Sequence, residues 1–319
     1  MVRYFLRRLP PAFAVLFAAS ALIFAILRVV PGDPASILAG PDATPETVAA
    51  INHDLGLDQP VITQYVSWLG HVLTFDLGRS YMIGGQIADL VTAGLTNTLV
   101  LTGAALLLAV TSSLLAALLW VGVPSRALDA ALTGFNTVAL ALPTFVTGVI
   151  LVLVFGLLVP ILPTGGVPPH GFLAEPDIAA QYLILPAVCL ALPASAGLTR
   201  FLAESLRTEL AAPYVTTARA AGVSRRRLLV AHALPAALPT YLTALGLQAG
   251  ALLGGAVLVE AVFSWPGLGQ LAAQAIDRRD YPVVQILLLL SVAVFVIIQL
   301  GTDLVHAYLD PRVRIGGLT

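Results

Sequence analysis

The sequence contains no lysine, and all sixteen basic residues among its 319 residues are arginines. A Walker A loop places a lysine on the nucleotide phosphates, and a Schiff base forms on a lysine amine. The chain therefore cannot carry either chemistry in its usual form. Its net charge of −1 gives no indication of nucleic-acid binding.

Cysteine is nearly absent, because the chain has only Cys189, inside an apolar run, and so cannot form an intrachain disulfide. One thiolate is too few for the usual zinc sites, and the five histidines form no His-Glu-x-x-His motif. Ser195 lacks the first glycine of a nucleophile elbow, so we expect it to pack between helices or to bond a backbone carbonyl. The sequence thus predicts no catalytic residue, no metal site and no enzyme.

Charged residues are also scarce, at 10% of the chain against about 25% in an ordinary soluble domain. Hydrophobic residues make up 58%, and the mean hydropathy is +0.94. The apolar runs are continuous rather than alternating, which favours membrane helices over a β-barrel. We predict an all-α integral membrane protein with six spans, kinked by internal prolines, at about residues 11–30, 97–121, 130–159, 182–202, 236–263 and 283–304.

The arginines also predict the orientation of the six spans, because cytoplasmic segments carry an excess of basic residues. With the N-terminus inside, the inner segments hold eleven arginines and the outer segments hold three. Both termini are therefore predicted to be cytoplasmic. The first span resembles a signal peptide in its basic flank, but it has about twenty apolar residues and no clear cleavage site, so we favour a retained span.

The predicted organisation has two parts. Residues 1–96 comprise the first span and an extracytoplasmic cap, in which Thr44-Pro45 is typical of a helix start and residues 61–75 of an amphipathic helix. Residues 97–319 form the core, with a cytoplasmic loop at 207–235.

That cytoplasmic loop is the most informative stretch. Pro213 suits a helix start, Gly222 a left-handed stop, and Ser224 the cap of a second helix. Arg225 and the next two arginines then lie in the first turn of this second helix, where the helix dipole disfavours cations. Two interpretations are equally favoured by these residues: attraction to anionic headgroups on the inner side, or a helix–glycine–helix element that docks on a partner.

The fifth span carries two further signals. Gly246, Gly250 and Gly254 share one helix face, which is typical of close helix packing, within the chain or against a second membrane subunit. Gln248 and Glu260 are costly in lipid, so with Trp265 we expect them at a path or an outer gate. Solvation at the outer end of the span is the simpler alternative for Glu260.

The loop resembles the signature loop of permeases from ATP-binding-cassette (ABC) importers, which reads Glu-Ala-Ala, three residues, Gly, nine residues, Ile, one residue, Leu-Pro. Ala218, Gly222 and the Leu234-Pro235 pair match this pattern, whereas Thr216, Thr217 and His232 depart from it.

The stretch from Tyr214 to Gly222 resembles the dipeptide/oligopeptide/nickel branch of these permeases. Matches along nearly the whole chain support this branch, at residues 31–34, 55–60, 76–80, 254–260, 263–269, 280–285 and 310–312. The Arg-Arg-Leu near the N-terminus and the long first outer segment resemble the first of the two permease subunits.

The resemblance implies a six-span bundle of the type I ABC importer permease class in a bacterial inner membrane. It implies a homologous second permease, two ATPase subunits that bind ATP and Mg²⁺, and an extracytoplasmic binding protein that delivers di- or oligopeptides or a nickel chelate. It assigns ATPase coupling to Tyr214, Thr217, Ala218, Arg219, Ala221, Gly222, Ser224, Arg225, Leu234 and Pro235.

Three other functions compete with this one. A secondary transporter would show inverted-repeat halves or charged residues deep in several spans. An intramembrane enzyme would need a nucleophile or metal cluster, and a channel would need filter-like motifs. None of these signals is evident in the sequence.

The predicted topology can be tested by thiol labelling in a Cys189→Ala background. A cysteine at Ala43 should react with an impermeant thiol reagent in intact cells, because this residue lies in the outer segment. A cysteine at Ala221 should be protected until the membrane is opened. The opposite labelling pattern would exclude the predicted orientation.

Overall fold

The structure, a computed structural model, describes residues 2–29, 34–40, 42–168 and 175–309, and within these ranges it is helical with no β-strand. The Pro31–Asp33 and Asp310–Arg312 motif positions lie outside the described residues.

Two π-helical segments, Leu153–Leu158 and Leu228–Ala233, interrupt the α-helices. The described α-helices are α1 (Val2–Val29), α2 (Pro34–Ala39), α3 (Pro45–Asp54), α4 (Val61–Leu73), α5 (Ile87–Gly122), α6 (Arg126–Ala141), α7 (Thr144–Val152), α8 (Pro176–Leu210), α9 (Pro213–Ala220), α10 (Arg225–Arg227), α11 (Leu234–Val262), α12 (Leu268–Asp277) and α13 (Tyr281–Leu309).

The predicted membrane-spanning helices are present. Five helical stretches in the described part of the chain are long and apolar enough to cross a bilayer, and a bent pair adds a sixth candidate. The five stretches are Arg8–Val29, Ile87–Gly122, Pro176–Leu210, Arg225–Val262 and Tyr281–Gly301. The all-α multi-span fold is therefore confirmed, whereas the orientation of the termini stays a prediction.

The third predicted span, which Pro143 interrupts in the sequence, is broken at this residue. Helix α6 and the helix that runs from Thr144 to Leu158 meet at 103°, which makes the pair a broken span or a re-entrant loop. The break follows from Pro143, which lacks an N–H and disfavours helical geometry in the residue before it. Leu142 accordingly adopts an extended conformation, with φ −77° and ψ 125°. By contrast, Pro186 and Pro193 lie inside a continuous α8.

The chain forms two compact units, one of which comprises residues 97–269 and the described part of the chain from residue 298. Helix α8 lies at its centre and packs against α11, α6 and α7. The buried face of α8 is rich in small residues, namely Ala187, Ala191, Ala194, Ala196 and Gly197. Small side chains let membrane helices approach closely, which explains why α8 can contact three helices.

The other unit comprises residues 2–96 and 270–297. Helix α4, predicted as amphipathic, packs on α1 through Tyr65, whose hydroxyl lies 2.8 Å from that of Ser20 and whose ring contacts Phe24. The predicted start of α3 is also present, because the Thr44 side chain accepts a hydrogen bond from the N–H of Thr47. The proposed division of the chain at residue 96 stays a prediction.

A buried carboxylate organises the loop before α5 in this same unit. Asp280 is fully buried and accepts hydrogen bonds from the Ser80 hydroxyl at 2.5 Å and from the N–H groups of Met82 at 2.9 Å and Ile83 at 3.1 Å. Burial alone would raise the pKa of the Asp280 carboxyl, but these hydrogen bonds outweigh it and hold the pKa below its ordinary value. Asp280 therefore stabilises the loop as a carboxylate.

Candidate functional site

The loop predicted to be cytoplasmic and helix–glycine–helix has the helix–glycine form in its first half. Helix α9 is eight residues long, and Gly222 follows its last turn with φ +83°, in the left-handed region that favours glycine. The N–H of Val223 donates to the carbonyl of Ala218 at 3.1 Å, and the N–H of Gly222 donates to that of Arg219 at 3.0 Å. This pair of bonds is the Schellman motif, which stops a helix and turns the chain.

The second half of the loop differs from the prediction of a separate short helix. Helix α10 continues through the π segment into α11, so that residues 225–262 form one helical stretch. Ser224 has the extended backbone of a cap residue, but its side chain makes no capping hydrogen bond. The π segment ends just before Leu234 and Pro235, because Pro235 removes one donor from the helical ladder and its ring crowds the preceding turn.

Arg225 has a structural reason to lie in a first turn. Its guanidinium reaches across to α5 and donates to the carbonyl of Val121 at 3.0 Å. Val121 lies in the last turn of α5, where free carbonyls and the helix dipole favour a cation. The arginine that opposes the dipole of its own helix thus complements the dipole of a neighbouring helix.

Apolar contacts fix the same loop to the helix ends. Val215, on the inward side of α9, is completely buried, and Leu228 is 2% exposed. A Cβ added at Gly122 would lie 3.2 Å from Leu229, so the end of α5 approaches the π segment closely. The coupling segment, by which we mean residues 213–235, is therefore anchored on one side.

Three helix ends meet beside this anchor. The guanidinium of Arg207 on α8 lies over the Trp120 ring of α5, 4.9 Å from its centroid. The Trp120 indole N–H donates to Asp129 of α6 at 2.7 Å, and Arg207 lies 3.8 Å from the same carboxylate. Sequence reasoning missed this cluster, since Arg207 is far along the chain from Trp120 and Asp129. A lone tryptophan at the end of an apolar run was its only signal.

The other side of the coupling segment faces outward. Tyr214 is 44% exposed and donates its hydroxyl to Glu209 at 2.8 Å. Burial raises the pKa of Tyr214, and the hydrogen bond to Glu209 adds to this shift. Thr217, Arg219 and Ala221 are exposed as well, as are Gly222, Ser224 and Arg225, while Ala218 is half-buried. The predicted coupling residues before α10 thus form one accessible surface on an anchored support.

Two of the three glycines on the predicted packing face of α11 have open space beside them among the described residues. A Cβ at Gly254 would meet nothing within 4 Å, and one at Gly250 would meet only Ile298, at 3.9 Å. Gly254 is exposed, and Gly246 and Gly250 are half-buried. Packing against the described residues therefore does not account for glycine at positions 250 and 254.

Glu260 is fully buried rather than solvated, although it lies near the end of α11. Its carboxylate accepts hydrogen bonds from the Thr98 hydroxyl of α5 at 2.6 Å and from the N–H of Gly269 at 2.6 Å. A Cβ at Gly269 would overlap the backbone of Val257, so the loop after α11 closes over the carboxylate only with glycine there. The Thr98 hydroxyl also accepts from the N–H of Leu268 at 2.9 Å. We call this cluster the outer clamp.

Trp265 belongs to the same loop and is also fully buried. Its indole N–H donates to the carbonyl of Asn97 at 3.0 Å, and the Asn97 side chain donates to the carbonyl of Pro266 at 2.9 Å. Gln248 lies apart, with its amide against Gly197 of α8, where a Cβ would be only 2.8 Å away. The structure therefore joins Glu260 to Trp265 and not to Gln248, and a path or gate role for the three stays a prediction.

Sequence reasoning missed Thr98 and Asn97, which hold the outer clamp from α5. Two polar residues at the start of a long apolar run were the available signal, but such residues usually mark only a span end. Ser195, in turn, donates to the carbonyl of Leu192 at 2.9 Å, which agrees with the expected carbonyl bond and not with a nucleophile.

The chain is similar to transport proteins along nearly its whole length. Residues 109–315 match the family described as "Binding-protein-dependent transport system inner membrane component", and residues 1–114 match "Binding-prot-dependent transport system membrane comp, N-term". A "Probable peptide ABC transporter permease protein" of Sinorhizobium fredii is 36% identical over 98% of this chain and 99% of its own length. Glutathione transport system permease proteins of Escherichia coli and Salmonella choleraesuis are 33% and 34% identical over the same shares.

Thr98→Val tests the outer clamp. Valine keeps the shape of threonine but leaves a carboxylate oxygen of Glu260 and the N–H of Leu268 without this partner, and a buried unsatisfied group costs about 1–3 kcal/mol. We expect a lower thermal unfolding midpoint for the purified protein in detergent.

Thr102→Val is the matched control. Thr102 is nearly as buried as Thr98, but its hydroxyl bonds only to carbonyls one turn back in α5. Equal loss of stability in the two variants would show that the clamp contributes nothing beyond the helix itself.

Proposed function

The chain belongs to the family of binding-protein-dependent transport system inner membrane components, and from this we propose that it forms, with a second permease, the path by which peptides cross a bacterial inner membrane. It is a multi-pass permease subunit of an ABC importer and not an enzyme. The observation that supports the proposal best is the coupling segment, which is anchored on the helix ends and exposed on its other side.

Di- and oligopeptides are the substrate class that we propose. Relatives that align over nearly the whole chain are named for peptide and for glutathione transport. No observation on the described residues favours a nickel chelate, and the family assignment leaves a secondary transporter without support. The peptide would be delivered by an extracytoplasmic binding protein, as expected for this family.

The partner subunits supply what this chain lacks. Without a lysine it cannot form a standard Walker A loop, so ATP and Mg²⁺ would bind to two partner ATPase subunits. Helix α9 is only about 12 Å long, too short to be stable alone, and only Val215 of it is fully buried. A partner that covers the exposed side of α9 would complete its packing.

The helix that continues beyond the turn supports the proposed coupling role. Residues 225–262 form one helical stretch that begins at the coupling segment and ends at the outer clamp. Arg225 ties the first turn of this stretch to α5, and Glu260 ties its last turn to α5 again. We infer that movement of α9 on the ATPase is carried along this helix, with both termini of the chain on the cytoplasmic side.

Gly222 provides the test of coupling. A Cβ added at Gly222 would meet nothing within 4 Å, so a substitution strains only the backbone, which has φ +83° at this residue. Valine is a true outlier in the left-handed region, at a cost of about 1–2 kcal/mol, whereas asparagine is tolerated there. In the reconstituted importer we expect Gly222→Val to lower ATP-driven uptake of labelled di- and tripeptides, and Gly222→Asn to preserve most of it.

Different results would contradict the coupling role and the substrate class. Normal coupling in Gly222→Val would reduce the segment to a membrane-surface anchor. Uptake of a nickel chelate but of no peptide by the wild-type importer would contradict the substrate class while leaving the coupling result intact.

The open space beside Gly250 and Gly254 on α11 supports a second permease as the partner of this helix. Gly254→Leu should reduce co-purification of that permease, because a bulky side chain at a close helix contact costs about 1–3 kcal/mol. Gly103→Leu is the control, since Gly103 is equally open and exposed but lies on α5. Intact pairing together with lost transport in Gly254→Leu would instead place the translocation path along this face.

A further inference from the structure

A cleft of about 720 Å³ opens where α5, α8 and the coupling segment meet. Arg207, Arg219 and Arg225 line it, and no acidic residue does. Apolar side chains, among them Val123 and Leu210, form the remaining wall. A concave site with converging cations and apolar sides suits an amphipathic anion.

The three guanidinium groups keep donors available for such an anion. Each guanidinium has five N–H groups, and the structure shows Arg225 using one of them on the carbonyl of Val121. Arg207 lies 3.8 Å from the Asp129 carboxylate and 3.9 Å from that of Glu204, which exceeds ordinary hydrogen-bond length. Arg219 is exposed and forms no ion pair within the described part of the chain.

The cleft lies where the apolar surface ends. Leu119 is 54% exposed and Val123 is 46% exposed, which suits contact with lipid tails. Between them Trp120 stacks on Arg207, and tryptophan is enriched at the level of the lipid headgroups. Because the inner leaflet carries anionic lipids, basic pockets between helix ends on that side attract their headgroups.

We propose that this cleft binds the phosphate headgroup of an anionic phospholipid of the inner leaflet. Arg207 and Arg219 hold the phosphate oxygens through paired N–H groups, and the lipid tails lie along Leu119 and Val123. This assignment rests on the proposed orientation, in which the coupling segment is cytoplasmic. Arg219 also belongs to the surface proposed to contact the ATPase, so the lipid and the ATPase would share this residue in the assembled importer.

Native mass spectrometry of the assembled importer in detergent tests the proposal, with phosphatidylglycerol as the probe. Phosphatidylcholine is the control lipid without net charge, and soluble glycerol 3-phosphate is the control for a free phosphate. We expect the wild type to retain phosphatidylglycerol selectively, and Arg219→Gln to weaken this retention about fivefold, the contribution of one arginine near an anionic surface. Arg219→Lys should lose less, because it keeps the charge.

Arg126→Gln is the matched control, since Arg126 is exposed at the start of α6 and does not line the cleft. An equal loss of lipid retention in Arg126→Gln and Arg219→Gln would indicate diffuse electrostatic attraction rather than a defined site, and would overturn the proposal. Full competition by glycerol 3-phosphate, retention of phosphatidylcholine, or release of the lipid when the ATPase assembles would overturn it as well. Failure of the proposed orientation would appear separately, in the thiol labelling at Ala221.

Discussion

Lipid offers no hydrogen-bond partner, so a polar group inside the bundle has to find its partner within the protein. Three hydrogen bonds between α5 and the helical stretch 225–262 provide such partners. Thr98 bonds Glu260, Ser113 bonds Tyr241 at 2.8 Å, and the carbonyl of Val121 accepts from Arg225. From residue 98 to residue 121 these contacts span about 35 Å of helix, close to the thickness of the hydrocarbon core. They tie α5 to both ends and to the middle of the helical stretch 225–262.

This pairing gives the proposed mechanism its physical basis. The coupling segment is held at Val215 and Arg225 and is exposed on the side that a partner would cover. The outer clamp is held at Glu260, under a loop that only glycine at position 269 permits. A single helical stretch connects the two sites, and its π segment lies just before Pro235, where an ideal α-helix would be strained. In the proposed mechanism, movement at one end would reach the other along this helical stretch.

Charge has two separate uses in this bundle. Arginines gather at the predicted cytoplasmic end, where Arg225 complements the end of α5, Arg207 stacks on Trp120, and Arg219 stays exposed. Two carboxylates at the predicted outer ends of their helices, Asp280 and Glu260, are instead buried and accept hydrogen bonds from backbone N–H groups. The cations thus remain able to meet anionic partners, while these two anions stabilise the loops around them.

The sequence alone determined the membrane-spanning helices and the turn at Gly222, because both depend on local physics: the length of apolar runs and the conformational freedom of glycine. Its motifs also indicated the transporter family. Only the tertiary structure decided the roles of Arg225, Glu260 and Trp265, because each depends on a partner far away in the chain. Periodicity cannot show that Val121 lies beside Arg225, or that Thr98 and Gly269 enclose Glu260. The 103° break at Pro143 was likewise beyond the sequence, since proline predicts an interruption but neighbouring helices set its angle.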